Sequence, residues 1–280
     1  MYNIGSTYFG SFGKFIQTFG HQGKHRLVLF SLLFFLLSAS QTTYSQSRNP
    51  LISYVISIPN PSSHSYNVEL HCSQWKLDTI QLKMPRWMPG YYQIIDYAKS
   101  VENMLAQDTI GNSLPIKKIN DNTWVISNIK NKTFIVNYSI HTNKQFVANS
   151  YVDSTHAYII PENTFLYEEG SMNTPISVKL KFSEKWKNVA TGLDSVAGNS
   201  KEFTASDFDI LYDCPILIGN LEELSLFDVK GIKHRFIGYN IGDFDRELFM
   251  VNLKKIVESS VDIIGDIPYN QYLFIAIGPG

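Results

Sequence analysis

Two histidines one helical turn apart can hold a zinc ion from one face of a helix. His21 and His25 have this spacing, but no glutamate follows His21 to act as a base, and both lie in a glycine-rich stretch near the beginning of the chain. Farther along, five histidines occur, of which none precedes a glutamate and no two are four residues apart: His64, His71, His141, His156 and His234. We therefore predict no metal ligand and no catalytic residue in these 280 residues.

Other side chains that could do chemistry are equally sparse. A Gly-x-Ser-x-Gly nucleophile elbow and a glycine-rich phosphate loop are both absent from the sequence. Glu168 and Glu169 are adjacent, and neighbouring residues on a strand point to opposite faces, so we interpret them as solvated turn residues. The two cysteines, Cys72 and Cys214, permit one disulfide or two buried thiols, and the sequence leaves both possibilities open.

The stretch from residue 84 to residue 98 reads as a rigid loop rich in large side chains. Residues 79–84 alternate polar and apolar side chains, which predicts a half-buried strand. Pro85 ends that strand because it has no N–H to donate. Pro89 followed by Gly90 then predicts a tight turn. The residues after the strand are therefore expected to form a stiff loop that holds its side chains in fixed positions.

Two roles for this loop fit its residues. In the first, Trp87 and Tyr92 are buried and plug the end of a β-sandwich. In the second, four residues face a domain junction and form one wall of a substrate cleft, because rigid exposed loops often carry recognition residues. Our candidates for that substrate-binding wall are Arg86, Trp87, Tyr92 and Asp96.

Composition and charge narrow the class of protein. With 44% hydrophobic and 14% aromatic residues, 280 residues can bury a sizeable core in one or two domains. The formal net charge is −1, so no basic field points to nucleic acid or to an anionic membrane. We therefore expect no nucleic-acid partner.

The beginning of the chain resembles a secretory signal peptide. The basic residues 24–26 precede an eleven-residue apolar run, 27–37, and small residues follow at 38–40. The run is shorter than the roughly 20 residues that a membrane span needs. We predict a signal peptide at 1–40, with cleavage after Ser40 or alternatively after Ser45, and a linker at 41–50. This assignment predicts a secreted or periplasmic protein without a membrane span.

Residues 51–219 carry the alternation that is typical of strands in an antiparallel β-sandwich. Apolar side chains share one face at every second position, as in Ile52, Tyr54, Ile56 and Ile58, and again in Val68, Leu70 and Cys72. Short strands separated by proline, glycine and asparagine turns continue through this region, and the strand at 176–182 has the clearest pattern. The fold class that we predict is mainly β, with an antiparallel sandwich as the N-terminal domain.

The pattern changes in residues 220–280, which read as an incomplete α+β segment. Residues 224–227 and 234–239 are predicted strands, and 244–264 is a predicted helix with Asp243 as its N-cap and Gly265 as its C-cap. The continuous apolar run at 272–277 is typical of a strand buried on both faces. Such a strand at the very end of the sequence favours a chain that is cut off inside its second domain.

Four blocks in order resemble the glycyl aminopeptidase family, whose members combine an N-terminal β domain, a thermolysin-like zinc domain and a PDZ domain. The matching blocks lie at 54–61, 85–98, 186–193 and 203–215. The second block matches the family signature at Pro85, Trp87, Pro89, Gly90, Tyr92, Asp96, Tyr97 and Ala98. The chain departs from the family pattern where Tyr91 and Cys214 replace serine, Ile95 replaces arginine and Lys185 replaces glycine.

The resemblance implies a zinc metallopeptidase that releases N-terminal residues, with glycine as a candidate, through a zinc-activated water. Zinc would belong to the intact enzyme, because the glycine-rich Gly-Gly-Leu-Glu-His segment and the zinc helix do not occur in this sequence. Residues 220–280 would be the start of the catalytic domain, and this chain alone is expected to be inactive. The implied partners are a peptide or protein substrate and the remainder of the protein's own catalytic and PDZ domains. The alternative is a secreted non-catalytic β-sandwich that binds peptide or glycan through aromatic surface residues.

Overall fold

The computed structural model describes residues 51–142 and 144–278. The predicted signal peptide at 1–40 and the linker at 41–50 lie outside these residues. The described strands are β1 (Ile52–Ser57), β2 (Ser65–Trp75), β3 (Thr79–Lys83), β4 (Val101–Asp108), β5 (Ser113–Leu114), β6 (Ile116–Asn120), β7 (Thr123–Ser127), β8 (Lys132–His141), β9 (Tyr151–Val152), β10 (His156–Ile159), β11 (Ile176–Lys181), β12 (Asn188–Ala190), β13 (Asp194–Val196), β14 (Asn199–Ala205), β15 (Ile216–Gly219), β16 (Glu222–Glu223), β17 (Phe227–Val229), β18 (Ile232–Tyr239) and β19 (Gln271–Ile277). The described α-helices are α1 (Phe208–Tyr212) and α2 (Arg246–Ile264).

The largest sheet has eight strands in the order β13-β14-β11-β1-β2-β8-β4-β5. A three-stranded sheet, β3-β7-β6, and a four-stranded sheet, β12-β15-β10-β9, share one hydrophobic core with it. The predicted mainly β, largely antiparallel fold is therefore confirmed. One pairing in the large sheet differs from that plan, because β1 runs antiparallel to β2 but parallel to β11.

The alternation read from the sequence places side chains as predicted. Ile52, Tyr54 and Ile56 of β1 are buried, and so are Val68 and Leu70 of β2. Because successive side chains of a strand point to opposite faces, this pattern fixes which face of the large sheet meets the core.

Buried tyrosines tie the segment 164–166 across the large sheet. The hydroxyl of Tyr66 lies 2.7 Å from Thr164 Oγ1, and the hydroxyl of Tyr138 donates to the carbonyl oxygen of Thr164 at 2.7 Å. Tyr54 donates in the same way to the carbonyl of Leu166. Since these three tyrosines come from β2, β8 and β1, neighbouring strands hold one irregular segment and satisfy its buried carbonyl groups.

The segment after β15 folds as a small sheet of β16, β17, β18 and β19 packed against α2. The helix begins two residues later than predicted: Asp245 is the N-cap and accepts from the N–H of Leu248 at 2.9 Å, so the assignment of Asp243 is wrong. Gly265 caps the other end with a φ of 84°, as predicted. The predicted strand at 224–227 is only partly formed: Phe227 begins β17, and Leu224 donates its N–H to the carbonyl oxygen of Phe236 at 2.9 Å without lying in a strand.

The last apolar run does form a strand, but it is not buried on both faces. β19 pairs in parallel with β18 along its whole length, and its side chains are half-buried or exposed. This burial corrects the expectation from the sequence. One edge of β19 also has no neighbouring strand among the described residues. Among those same residues, no helix is long and apolar enough to cross a membrane.

Candidate functional site

The aromatic loop, residues 86–96, is closed at its base by two contacts. The N–H of Ile95 donates to the carbonyl oxygen of Arg86 at 2.8 Å. The Arg86 guanidinium also binds the Asp96 carboxylate, with Nη2 and Oδ1 2.9 Å apart. Lys99 approaches the other oxygen of Asp96 at 2.9 Å, and Lys99 first and Arg86 second hold the pKa of Asp96 below its ordinary value. Arg86 and Asp96 therefore hold the base of the loop together.

Trp87 and Tyr92 extend from the same loop into solvent. Trp87 is 46% exposed and Tyr92 is 80% exposed, and their ring centroids lie 6.5 Å apart. The interpretation in which these two side chains plug the end of the sandwich is therefore wrong. Tyr92 also has a φ of 57°, which is unusual for a bulky residue. The closed loop holds this conformation and keeps both rings available at the surface.

Tyr91, which is not among the predicted site residues, links this loop to a cavity. The ring of Tyr91 packs edge-on against Phe146, with centroids 5.1 Å apart. Phe146 lies on the segment that follows β8 and lines a cavity of about 330 Å³. We name this space the seam cavity, lined by Gln145, Phe146, Val147, Tyr151, His156, Tyr158, Ile275, Ile277 and Gly278. The four residues predicted for a substrate-binding wall are not part of that lining.

The seam cavity lies where β19 meets the β domain. Below it, Ala190, Leu217 and Ile237 form a small buried cluster to which Leu273 and Ile275 of β19 add their side chains. Gln271 at the start of β19 also reaches the β domain, and its side-chain amide donates to the carbonyl of Gly192 at 3.3 Å. The cavity wall is thus built from both parts of the chain.

His156 is the one ionisable group in the cavity lining that titrates near neutral pH in its ordinary state. Its ring stacks on Tyr239 of β18 with centroids 4.2 Å apart, and Nδ1 lies 3.0 Å from the hydroxyl of Thr155. Its Nε2 is buried and has no hydrogen-bond partner among the described residues. Burial lowers the pKa of His156, against the opposing effect of Asp153, so the ring is neutral at pH 7. His156 of β10 therefore packs against β18 as a neutral ring, and its Nε2 has no hydrogen-bond partner among the described residues.

A buried carboxyl group was also missed from the sequence. Glu162 is 4% exposed in the single turn of 3₁₀-helix at Pro161–Asn163. Burial raises its pKa to about 7, and the nearby charge of Asp213 adds to the effect. A strongly raised carboxyl pKa marks a group held in an unfavourable environment, which often occurs at functional sites. The sequence offers no pattern that distinguishes this glutamate from Glu168 or Glu169.

The described residues do not fit a resident zinc ion. In 51–142 and 144–278, no three histidine, cysteine, aspartate or glutamate side chains converge so that they could hold a metal. Glu169 is exposed and pairs with Lys83, while Glu168 accepts from the hydroxyl of Ser171 at 2.7 Å. Cys72 and Cys214 are free thiols, and no disulfide joins them. We therefore assign no catalytic step to a metal held by these side chains.

The fold and the loop together match a known class of protein. Residues 53–220 match the family model described as the peptidase M61 N-terminal domain, and the chain therefore belongs to the peptidase M61 family. This match confirms the resemblance to glycyl aminopeptidases inferred from the four sequence blocks.

Comparison with solved structures finds a protein of similar fold. The chain is similar to an aminopeptidase N family protein from Idiomarina loihiensis, with a TM-score of 0.74 and 29% identity. The similarity covers 81% of this chain but only 39% of the other, so the chain spans well under half of that protein. A comparison with curated proteins gave no match.

Proposed function

We propose that this chain is the N-terminal portion of a secreted zinc metallo-aminopeptidase of peptidase M61. In this proposal residues 51–219 are the β domain and 220–280 are the start of the catalytic domain, which continues in polypeptide beyond this sequence. The family match over 53–220 supports the first part, and the 39% share of the Idiomarina protein supports the second. Release of N-terminal residues, glycine included, would be the activity of the complete protein.

The observation that carries the proposal is the contact between β19 and the β domain. Leu273 and Ile275 pack against a cluster that contains Ala190 and Leu217 of the β domain, so the segment after residue 219 is fixed against that domain by apolar burial. A domain that continued from β19 would therefore begin in a defined position beside the seam cavity. In this proposal the β domain would form one wall of the space in which a substrate lies.

The outer face of α2 gives further support. Several large apolar side chains of this helix are exposed: Leu248, Val251, Ile256, Ile263 and Ile264. A second layer of structure could cover them. A folded domain normally buries large apolar side chains that lie this close together. We propose that the remainder of the catalytic domain packs here and supplies the zinc ligands that the described residues lack.

The aromatic loop has a place in this proposal. Arg86 and Asp96 hold its base, so they would act by positioning the loop, whereas Trp87 and Tyr92 would contact the peptide or protein substrate directly. In an active protein, Tyr92→Phe and Asp96→Asn would lower kcat/KM for peptides. Unchanged kcat/KM with lower thermal stability would assign the loop a purely structural role.

The test uses the natural product of the gene. Its intact mass and N-terminal sequence show where export processing cuts, with Ser40 or Ser45 expected before the cut, and whether the chain extends past Gly280. The purified product should release p-nitroaniline from glycine p-nitroanilide, lose that activity with 1,10-phenanthroline and regain it with zinc. The 280-residue chain should be inactive. A natural product that is inactive, or active regardless of chelator, overturns the proposal.

Exposure of Trp87 and Tyr92 also favours a second candidate, a secreted β-sandwich without catalysis that binds peptide or glycan. Aromatic rings at a surface are suited to both ligands. This candidate requires a natural product that ends near Gly280, shows no chelator-sensitive hydrolysis and binds a ligand through the aromatic loop. The same mass and activity measurements therefore separate the two.

A further inference from the structure

We propose that the seam cavity binds a bulky, uncharged side chain of a peptide, preferably an aromatic one. That the ligand is a peptide residue rests on the proposed function, whereas the size and chemistry of the bound group follow from the cavity itself. The inference differs from the glycine preference that the family name suggests, because a glycine has no side chain to occupy such a space.

The size of the seam cavity suits one bulky side chain. The cavity volume of about 330 Å³ is at the lower end of the roughly 300–1,000 Å³ that is usual for small-molecule sites. Phe146, Tyr151 and Tyr158 supply aromatic walls, and Ile275 and Ile277 of β19 supply an aliphatic one. Aromatic rings favour offset or edge-on contacts with a further ring, so these walls suit an aromatic ligand group.

The charge of the cavity lining also limits which side chain can bind. The lining contains no lysine, arginine, aspartate or glutamate, and burial keeps His156 neutral. The nearest charges lie behind the lining: Asp153 accepts from the Tyr151 hydroxyl, and Lys144 Nζ is 5.0 Å from the Phe146 ring centroid. A charged ligand group would therefore lose hydration without an ion-pair partner in the lining itself. The lining therefore selects against acidic and basic side chains.

The unpaired Nε2 of His156 favours a ligand that can form a hydrogen bond. The side chain is 3% exposed, and Nε2 has no partner among the described groups, although Nδ1 lies near the hydroxyl of Thr155. A buried polar atom without a partner is unfavourable. If binding uncovers the ring, a ligand hydroxyl or N–H, as in tyrosine and tryptophan side chains, would relieve this cost.

The same lining argues against a sugar. Sugars carry several hydroxyl groups that each need a polar partner, and six of the nine lining residues are apolar or aromatic. The hydroxyl groups of Tyr151 and Tyr158 already face Asp153 and the carbonyl of Val147. Gln145 and His156 are the remaining polar side chains in the lining, so a sugar would have few side-chain partners for its hydroxyl groups.

The test measures binding by the 280-residue chain, so it does not depend on catalysis. Dissociation constants from calorimetric titration, with saturation-transfer NMR to detect weak binding, would be compared for N-acetylphenylalaninamide, N-acetylglycinamide, N-acetyllysinamide and methyl glucoside. We expect the phenylalanine amide to bind at least about tenfold more tightly than the other three, because it alone buries a large apolar group in the cavity.

A matched pair of variants locates the binding. Val147 lines the cavity and is exposed, so Val147→Asp adds a carboxylate to the wall without disturbing the core. It should weaken phenylalanine amide binding at least about fivefold. Ile110→Asp makes the same change at an exposed residue outside the cavity and should bind like the unmodified chain. Circular dichroism and melting temperature confirm that both variants fold.

Three results would overturn the inference: no saturable binding of the phenylalanine amide, equal affinity for the glycine amide or the glucoside, or unchanged binding in Val147→Asp. Failure of the proposed function gives a different result. In that case the natural product shows no chelator-sensitive hydrolysis, while the 280-residue chain still prefers the phenylalanine amide.

Discussion

At the scale of single residues, Glu162 makes stability depend on pH near neutrality. Its pKa is about 7 in the folded chain, against an ordinary value of 4.5. Between these values the folded chain holds a proton that the unfolded chain has released. Stability should therefore fall as the pH rises from 4.5 through 7 and then stay level above 7.

We predict that Glu162→Gln removes this fall, because an amide of the same shape does not ionise. The variant should be more stable than the unmodified chain by about 3 kcal/mol at pH 8 and no more stable at pH 4. Urea unfolding at several pH values measures the difference. Glu102→Gln, at an exposed residue of β4, serves as the control. A variant that is less stable at every pH would show that the carboxyl group is required for packing.

The sequence predicted which residues form the loop but not which side chains are buried or exposed in the folded chain. The types and spacing of residues 85–98 correctly predicted a loop with a turn at Pro89 and Gly90, because proline and glycine act on the local backbone. Exposure of Trp87 and burial of Glu162 depend on segments far away in the sequence. The seam cavity was not predictable for the same reason, since Phe146 and Ile277 meet only in the folded chain.

At the scale of elements, the N-terminus of α2 offers a direct test of the capping assignment. Asp245 accepts from the N–H of Leu248, so Asp245→Ala should destabilise the segment by about 1 kcal/mol. Asp243→Ala, two residues earlier, should have a much smaller effect. The loss of helix signal on heating measures both. Equal effects of the two substitutions would contradict the assignment.

The same pair of aspartates shows what a local pattern can and cannot fix. Both precede an apolar helical stripe, so the pattern predicts the helix and its glycine C-cap but leaves the first residue uncertain by one or two positions. In the β domain the alternation was sufficient, because one face of each strand meets a large core. Leu224 follows the apolar pattern of a strand because it is buried in the core between the small sheet and α2, although it lies just outside β16.

At the scale of the whole molecule, buried tyrosines set an upper pH limit for stability. Burial raises the pKa of Tyr54, Tyr66 and Tyr138 above the ordinary value of 10.0. The unfolded chain loses these protons near pH 10 while the folded chain keeps them. Stability from these groups is therefore complete below pH 10 and falls as the pH rises beyond it.

We predict that urea unfolding shows this fall between pH 10 and 11.5, and that Tyr138→Phe makes it less steep. At pH 7 the same variant should lose about 1–2 kcal/mol, because the carbonyl of Thr164 loses its donor. Tyr272→Phe, on a side chain that is 43% exposed, is the control and should change neither quantity. Identical alkaline unfolding in the unmodified chain and Tyr138→Phe would show that other groups set the limit.

The parallel pairing of β1 with β11 has a consequence for how the chain is made. β1 is among the first segments to emerge during synthesis, yet its partner in the register Ile52 to Ile176 emerges more than a hundred residues later. Until then one edge of an apolar strand stays open to any other nascent chain. Pairing between such distant segments is also slow. Protection of that edge during the delay would thus govern how much correctly folded protein a cell obtains.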